Sequence, residues 1–178
     1  MSNDMKQGSW RGTVGRRLFA GAATMFAMMG ASLTASAAVV GNGTFEVRSA
    51  SSNLCLSITG SSLVDGAKVI QDTCNGSAIQ RFLFSVQSDG SYQIVNVASG
   101  KALDVTDVST ANGALIQQWA AGGGGNQHFA ATVNGNGYTL AAKNSGKCVD
   151  VKDLSTSPGA AIQQWACGGG ANQRWLLN

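Results

Sequence analysis

From Val40 onward the apolar residues never recur with a helical period. They come in short runs that alternate with polar positions and are broken by Gly, Ser and Asn, the signature of half-buried strands joined by turns. The last stretch shows this most openly: YTLAA from Tyr138, KCVDV from Lys147, AAIQQWA from Ala160 and QRWLL from Gln173 are strand candidates. The phrase IQQWACGGGANQRW, Ile162 to Trp175, has a near-twin in IQQWAAGGGGNQHF, Ile116 to Phe129.

Extending the twins outward uncovers a third, earlier copy. Gly66-Ala67, Gly113-Ala114 and Gly159-Ala160 correspond, as do Gln80, Gln127 and Gln173. The openings FEVR at Phe45, YQIV at Tyr92 and YTLA at Tyr138 fall in the same phase. The repeats run about 41–86, 87–132 and 133–178, with spacings of 47 and 46 residues. Periods of this length suit propeller blades, but propellers typically close with four or more blades. Three units of four strands bury a shared core as a closed three-fold barrel with a hairpin cap, so the pattern predicts an all-β fold, a twelve-stranded β-trefoil. The apolar sets expected to fill its core are Phe45/Tyr92/Tyr138, Leu56/Leu103/Val149, Val69/Ile116/Ile162 and Phe82/Phe129/Trp175.

Each copy ends in Gln-x-aromatic: QRF at Gln80, QHF at Gln127 and QRW at Gln173. Three such tripeptides in phase, each behind an LDV-like strand, resemble the (QxW)3 signature of the ricin B-type lectins, also classed as family 13 carbohydrate-binding modules. The resemblance spans residues 38–178.

The preceding segment has a different character. Lys6, Arg11, Arg16 and Arg17 lead into an apolar run from Leu18 to Leu33, followed by Ala35-Ser36-Ala37. That order of basic, apolar and small-residue regions predicts a signal peptide over 1–37, cut after Ala37 and followed by the trefoil over 38–178. The run is short and glycine-interrupted for a membrane span. Arg16-Arg17-Leu18-Phe19 resembles a twin-arginine signal, and a general secretory signal fits as well. Residues 38–178 hold eight Lys/Arg (Arg48, Lys68, Arg81, Lys101, Lys143, Lys147, Lys152, Arg174) and eight Asp/Glu (Glu46, Asp65, Asp72, Asp89, Asp104, Asp107, Asp150, Asp153). The balance offers nucleic acid no electrostatic footprint.

Cys55 and Cys74 lie 19 residues apart in the first copy, as do Cys148 and Cys167 in the third. The second copy has Ala102 and Ala121 at both positions. Paired presence and paired absence predict one disulfide within each of the outer repeats, which suits an oxidising compartment. A metal site is the rival, disfavoured by a lone His128 and no CxxC.

A neutral sugar presents hydroxyl pairs and an apolar C–H ring face, so its site needs carboxylates or amides together with an aromatic plate. The resemblance places such sets in two copies: Asp104, Gln117, Trp119, Asn126 and Gln127 in the second, and Asp150, Gln163, Trp165, Asn172 and Gln173 in the third. It implies that the Asp and Asn bond hydroxyls, the Trp stacks, the Gln before it reaches a further hydroxyl, and the Gln of Gln-x-aromatic braces the Asp. In the first copy Ser57, Ile70, Asp72 and Ile79 replace the first four, and only Gln80 remains. Linked loss of this kind fits a decayed site better than it fits core packing. The expectation is a secreted bacterial lectin that is not an enzyme, needs no cofactor or metal, and binds a galactose-type or xylose-type glycan through two sites. The alternatives are a targeting subunit for a separate enzyme or toxin chain, or a β-trefoil protease inhibitor. His128 is the variable residue of its tripeptide, and Asp104 and Asp150 belong to different repeats, so neither a nucleophile–base pair nor a glycosidase carboxylate pair is expected.

Overall fold

A computed structural model of the chain describes residues 40–178. The expected leader over 1–37 and its cleavage site lie outside these residues. The alternating runs form twelve strands. The first repeat holds β1 (Gly43–Ser49), β2 (Cys55–Ile58), β3 (Val69–Asp72) and β4 (Arg81–Val86). The second holds β5 (Tyr92–Asn96), β6 (Ala102–Val105), β7 (Ile116–Trp119) and β8 (His128–Asn134). The third holds β9 (Gly137–Ala142), β10 (Cys148–Val151), β11 (Ile162–Trp165) and β12 (Trp175–Leu177). Among the described residues the only helical elements are single-turn 3-10 segments, and no helix there is long and apolar enough to cross a membrane.

The first and fourth strands of the repeats close a ring. β1 pairs antiparallel with β4, β4 with β5, β5 with β8, β8 with β9, β9 with β12, and β12 with β1. Closure leaves these six strands without a free edge. The hairpins β2–β3, β6–β7 and β10–β11 form the cap, and they touch one another through the bridges Lys68–Gln117, Leu115–Gln163 and Ile70–Ala161. This is a β-trefoil.

Equivalent apolar residues meet inside. Leu56/Leu103/Val149, Val69/Ile116/Ile162 and Phe82/Phe129/Trp175 are all buried, as expected. The fourth expected set is divided: Tyr92 is buried, whereas Phe45 and Tyr138 are only partly buried and pack against the outside of the core. Its place is taken by Val47, Ile94 and Leu140, two residues further along each strand. Phe45 lies edge-on to the buried Phe84 at a centroid distance of 5.5 Å.

A second three-fold set is polar. Gln71, Gln118 and Gln164 are fully buried on the inward face of the cap hairpins. Gln71 Nε2 donates to the carbonyls of Ser155 and Ser157 at 3.0 Å, joining repeat 1 to repeat 3. Gln118 Nε2 donates to Ser62 and Val64 at 2.9 Å, joining repeat 2 to repeat 1. Gln164 Nε2 donates to Ser109 and Ala111 at 2.8 and 2.9 Å, joining repeat 3 to repeat 2. Each amide oxygen accepts from a serine of its own repeat, Ser52, Ser99 or Ser145. Full pairing is what makes a buried amide tolerable.

The disulfides Cys55–Cys74 and Cys148–Cys167 form, each with Cα atoms 5.1 Å apart.

Candidate functional site

In repeat 2, the register of β6 against β7 sets Asp104 opposite Gln117, and Gln117 Nε2 donates to Asp104 Oδ1 at 2.9 Å. Asn126 and Gln127 lie on the 3-10 turn Gly125–Gln127, just ahead of β8. From that turn Asn126 Nδ2 and Gln127 Nε2 both donate to Asp104 Oδ2, at 2.8 and 2.9 Å. Repeat 3 reproduces the arrangement. Asp150 Oδ1 accepts from Gln163 at 2.9 Å, and Oδ2 accepts from Asn172 at 2.6 Å and Gln173 at 3.0 Å. Both carboxylates are buried, so these three amides hold each charge in place. An ionised carboxylate offers about four lone-pair positions, which leaves room for one more donor.

The glutamine of Gln-x-aromatic has a double role. Gln127 accepts from the Gly122 amide at 2.6 Å and donates to the Ala120 carbonyl at 3.1 Å. Gln173 does the same with Gly168 and Ala166 at 2.7 and 3.0 Å. Gln80 keeps both bonds, to Asn75 and Thr73 at 2.8 and 2.9 Å, although Ser57 stands where the aspartate would be. Closing this loop is a task of the fold, and it explains why Gln80 survives in a copy that has lost its partners.

Two glycines show why the turn takes the shape it does. A Cβ at Gly170 would come within 2.7 Å of Asn172 Oδ1, and one at Gly124 would come still closer to Asn126 Oδ1. In the first copy the corresponding residue is Ser77, and the asparagine has become the buried Ile79. The two positions change together.

Trp119 and Trp165 end β7 and β11 on the same side as Gln117 and Gln163, as a two-residue separation dictates. Both residues are 45% exposed. The turn of the preceding repeat runs beside each: a methyl at Gly66 would sit 3.7 Å from the Trp119 ring, and one at Gly113 the same distance from Trp165. In the first copy the matching residue, Asp72, accepts from the backbone of Thr73.

These groups surround two open cavities. Asp104, Gln117, Trp119 and Asn126 line one of about 230 Å³. Asp150, Gln163, Trp165, Asn172 and Gln173 line one of about 450 Å³. Each expected set is therefore assembled in one place, with the bracing Gln127 set behind Asn126.

Sequence reasoning missed the other wall. Asp107 and Val108 line the first cavity, and Asp153 and Leu154 the second. All four are left-handed, with φ of 57°, 53°, 56° and 55°. The first copy makes the same turn with Gly60 and Ser61, at φ of 60° and 53°. A glycine aligned with two aspartates was the available signal, since it marks a left-handed position.

The chain matches known proteins at this point. The model of the ricin-type β-trefoil lectin domain matches residues 43–175. A designed 3-fold symmetric protein, ThreeFoil, is 39% identical with a TM-score of 0.74, over 76% of this chain and 98% of that one. An exo-β-1,3-galactanase from Clostridium thermocellum is 36% identical with a TM-score of 0.74, over 78% of this chain and 30% of the galactanase chain. The Macrolepiota procera ricin B-like lectin, solved in complex with lactose, shares the fold at 16% identity and a TM-score of 0.65, over 79% of this chain and 97% of that one. No curated protein sequence matches the chain. The three in-phase repeats, the trefoil barrel and the family match over 43–175 agree: the chain belongs to the ricin-type β-trefoil lectin family, and its trefoil is a carbohydrate-binding domain.

Proposed function

We propose that this protein is a secreted lectin that binds glycans without catalysis, through one site in repeat 2 and one in repeat 3. The observation that carries the reading is the paired assembly. A buried carboxylate held by three amides faces an exposed tryptophan in both repeats, whereas in the first the carboxylate, the tryptophan and two of the amides are replaced together and only Gln80 remains. In each site the remaining carboxylate lone pair accepts a sugar hydroxyl, the Asn and Gln amides bond its neighbours, and the Trp ring covers the apolar face. Gln127 and Gln173 act through the carboxylates they hold. The two disulfides accord with export.

The ligand is of galactose or xylose type. The galactose reading draws on the galactanase, whose name gives its substrate as a β-1,3-galactan. That likeness also supports a second reading, in which this chain brings a separately encoded hydrolase or toxin to its polysaccharide.

Titration calorimetry with galactose and xylose oligomers tests the site count. Stoichiometry is expected to fall from about two per chain to about one in Trp119→Ala or Trp165→Ala, and to none in the double variant, with avidity for polysaccharide lost at the first step. A double variant that still binds at full strength would place the site elsewhere.

A further inference from the structure

Each cavity contains two apolar surfaces, whereas a galactopyranose ring, whose axial 4-hydroxyl crosses one side, has one apolar face. Trp165 is 45% exposed, and Leu154, on the other wall of the same cavity, is 71% exposed. Repeat 2 pairs Trp119 with Val108, which is 61% exposed. Leu154 and Val108 hold left-handed backbones, at φ of 55° and 53°. That conformation is costly for any side chain with a Cβ, and most of all for a β-branched one. The turn itself does not call for such residues, because Gly60 and Ser61 make it in the first copy at φ of 60° and 53°. Neither side chain contributes to the buried core. Exposed, strained and apolar, they stand in the two repeats that assemble a binding set and not in the one that lacks it.

Resting on the sugar-binding reading above, we propose that Leu154 and Val108 are specificity-determining residues. They form a second apolar wall that selects glycosides carrying an apolar group beyond the ring face covered by tryptophan. An aglycone or the apolar face of the next sugar unit supplies that group. The wall differs in reach: leucine borders a cavity of about 450 Å³ and valine one of about 230 Å³, so the repeat-3 site takes the bulkier substituent.

The test isolates repeat 3 in a Trp119→Ala background and titrates methyl and phenyl β-galactosides, then the same pair of β-xylosides. Phenyl is expected to bind about 5–10-fold tighter than methyl, and Leu154→Ala to reduce that ratio to about 2-fold or less. Leu154→Gly is expected to lose the ratio as well while raising the melting temperature by about 2–4 °C, since glycine relieves the left-handed strain. Opposite signs in binding and stability are what a packing residue does not produce. An unchanged phenyl-to-methyl ratio in Leu154→Ala, or a loss of stability in Leu154→Gly, overturns this inference and leaves the sugar site standing. Failure of every glycoside to bind the parent overturns both.

Discussion

At the scale of single residues, the proposed sites make each aspartate answer for binding and stability at once. Asp150 is buried and accepts from Gln163, Asn172 and Gln173. Asp150→Ala leaves those three amides without their acceptor, and an unpaired buried donor costs about 1–3 kcal/mol. Urea unfolding is therefore expected to show a lower midpoint with an unchanged slope. Trp165→Ala, at a residue already 45% exposed, is expected to cost less stability while removing the proposed sugar platform. If Asp150→Ala unfolds like the parent, the three bonds are not holding the loop. The aspartate, the tryptophan and the three amides were all legible in the sequence, because the repeat register fixes which positions align. The left-handed Val108 and Leu154 were not, since an apolar side chain gives no sign of positive φ and only Gly60 hinted at it.

At the scale of elements, the site in repeat 2 depends on a turn from repeat 3. Asn144, between β9 and β10, donates from Nδ2 to the carbonyls of Val108 and Ser109 at 3.1 Å. Its backbone amide donates to Gly125 at 3.2 Å. One residue thus ties the strained wall to the turn that carries Asn126. The matching residues in the other repeats are Ser51 and Ala98, which are too short for that reach. Asn144→Ala is expected to weaken the repeat-2 site by about 2–10-fold, in line with the loss of hydrogen bonds worth about 0.5–1.5 kcal/mol. The repeat-3 site should be unchanged, and calorimetry on the Trp119→Ala and Trp165→Ala backgrounds separates the two. Equal losses at both sites would reject this role. The strands were readable from alternation alone, but contacts between repeats were not. Asn144 occurs once, so no symmetry announced it. The 3-10 turns are too short to leave any period in the sequence.

For the molecule as a whole, the three repeats are expected to unfold as one. The barrel ring closes through β1 and β12, and the buried glutamines run in a cycle: Gln71 reaches repeat 3, Gln118 repeat 1 and Gln164 repeat 2. No repeat can leave without breaking the ring of the other two. The disulfides are distributed differently, with Cys55–Cys74 in repeat 1, Cys148–Cys167 in repeat 3, and Ala102 and Ala121 at the corresponding places in repeat 2. Each closes a 19-residue separation, for which chain entropy predicts a stabilisation of about 3 kcal/mol. If the glutamine cycle and the shared core govern cooperativity, reduction lowers the melting temperature of the whole trefoil without dividing the transition. If the covalent links govern it, the unlinked repeat 2 melts first and its site is lost ahead of the other. Calorimetric scans of reduced protein, and of the Cys55→Ala/Cys74→Ala/Cys148→Ala/Cys167→Ala variant, are expected to show one lowered peak whose calorimetric and van't Hoff enthalpies agree. Below that transition both sites should still titrate. Two resolved peaks, or early loss of the repeat-2 site, would mean that the cycle does not bind the repeats into a single unit.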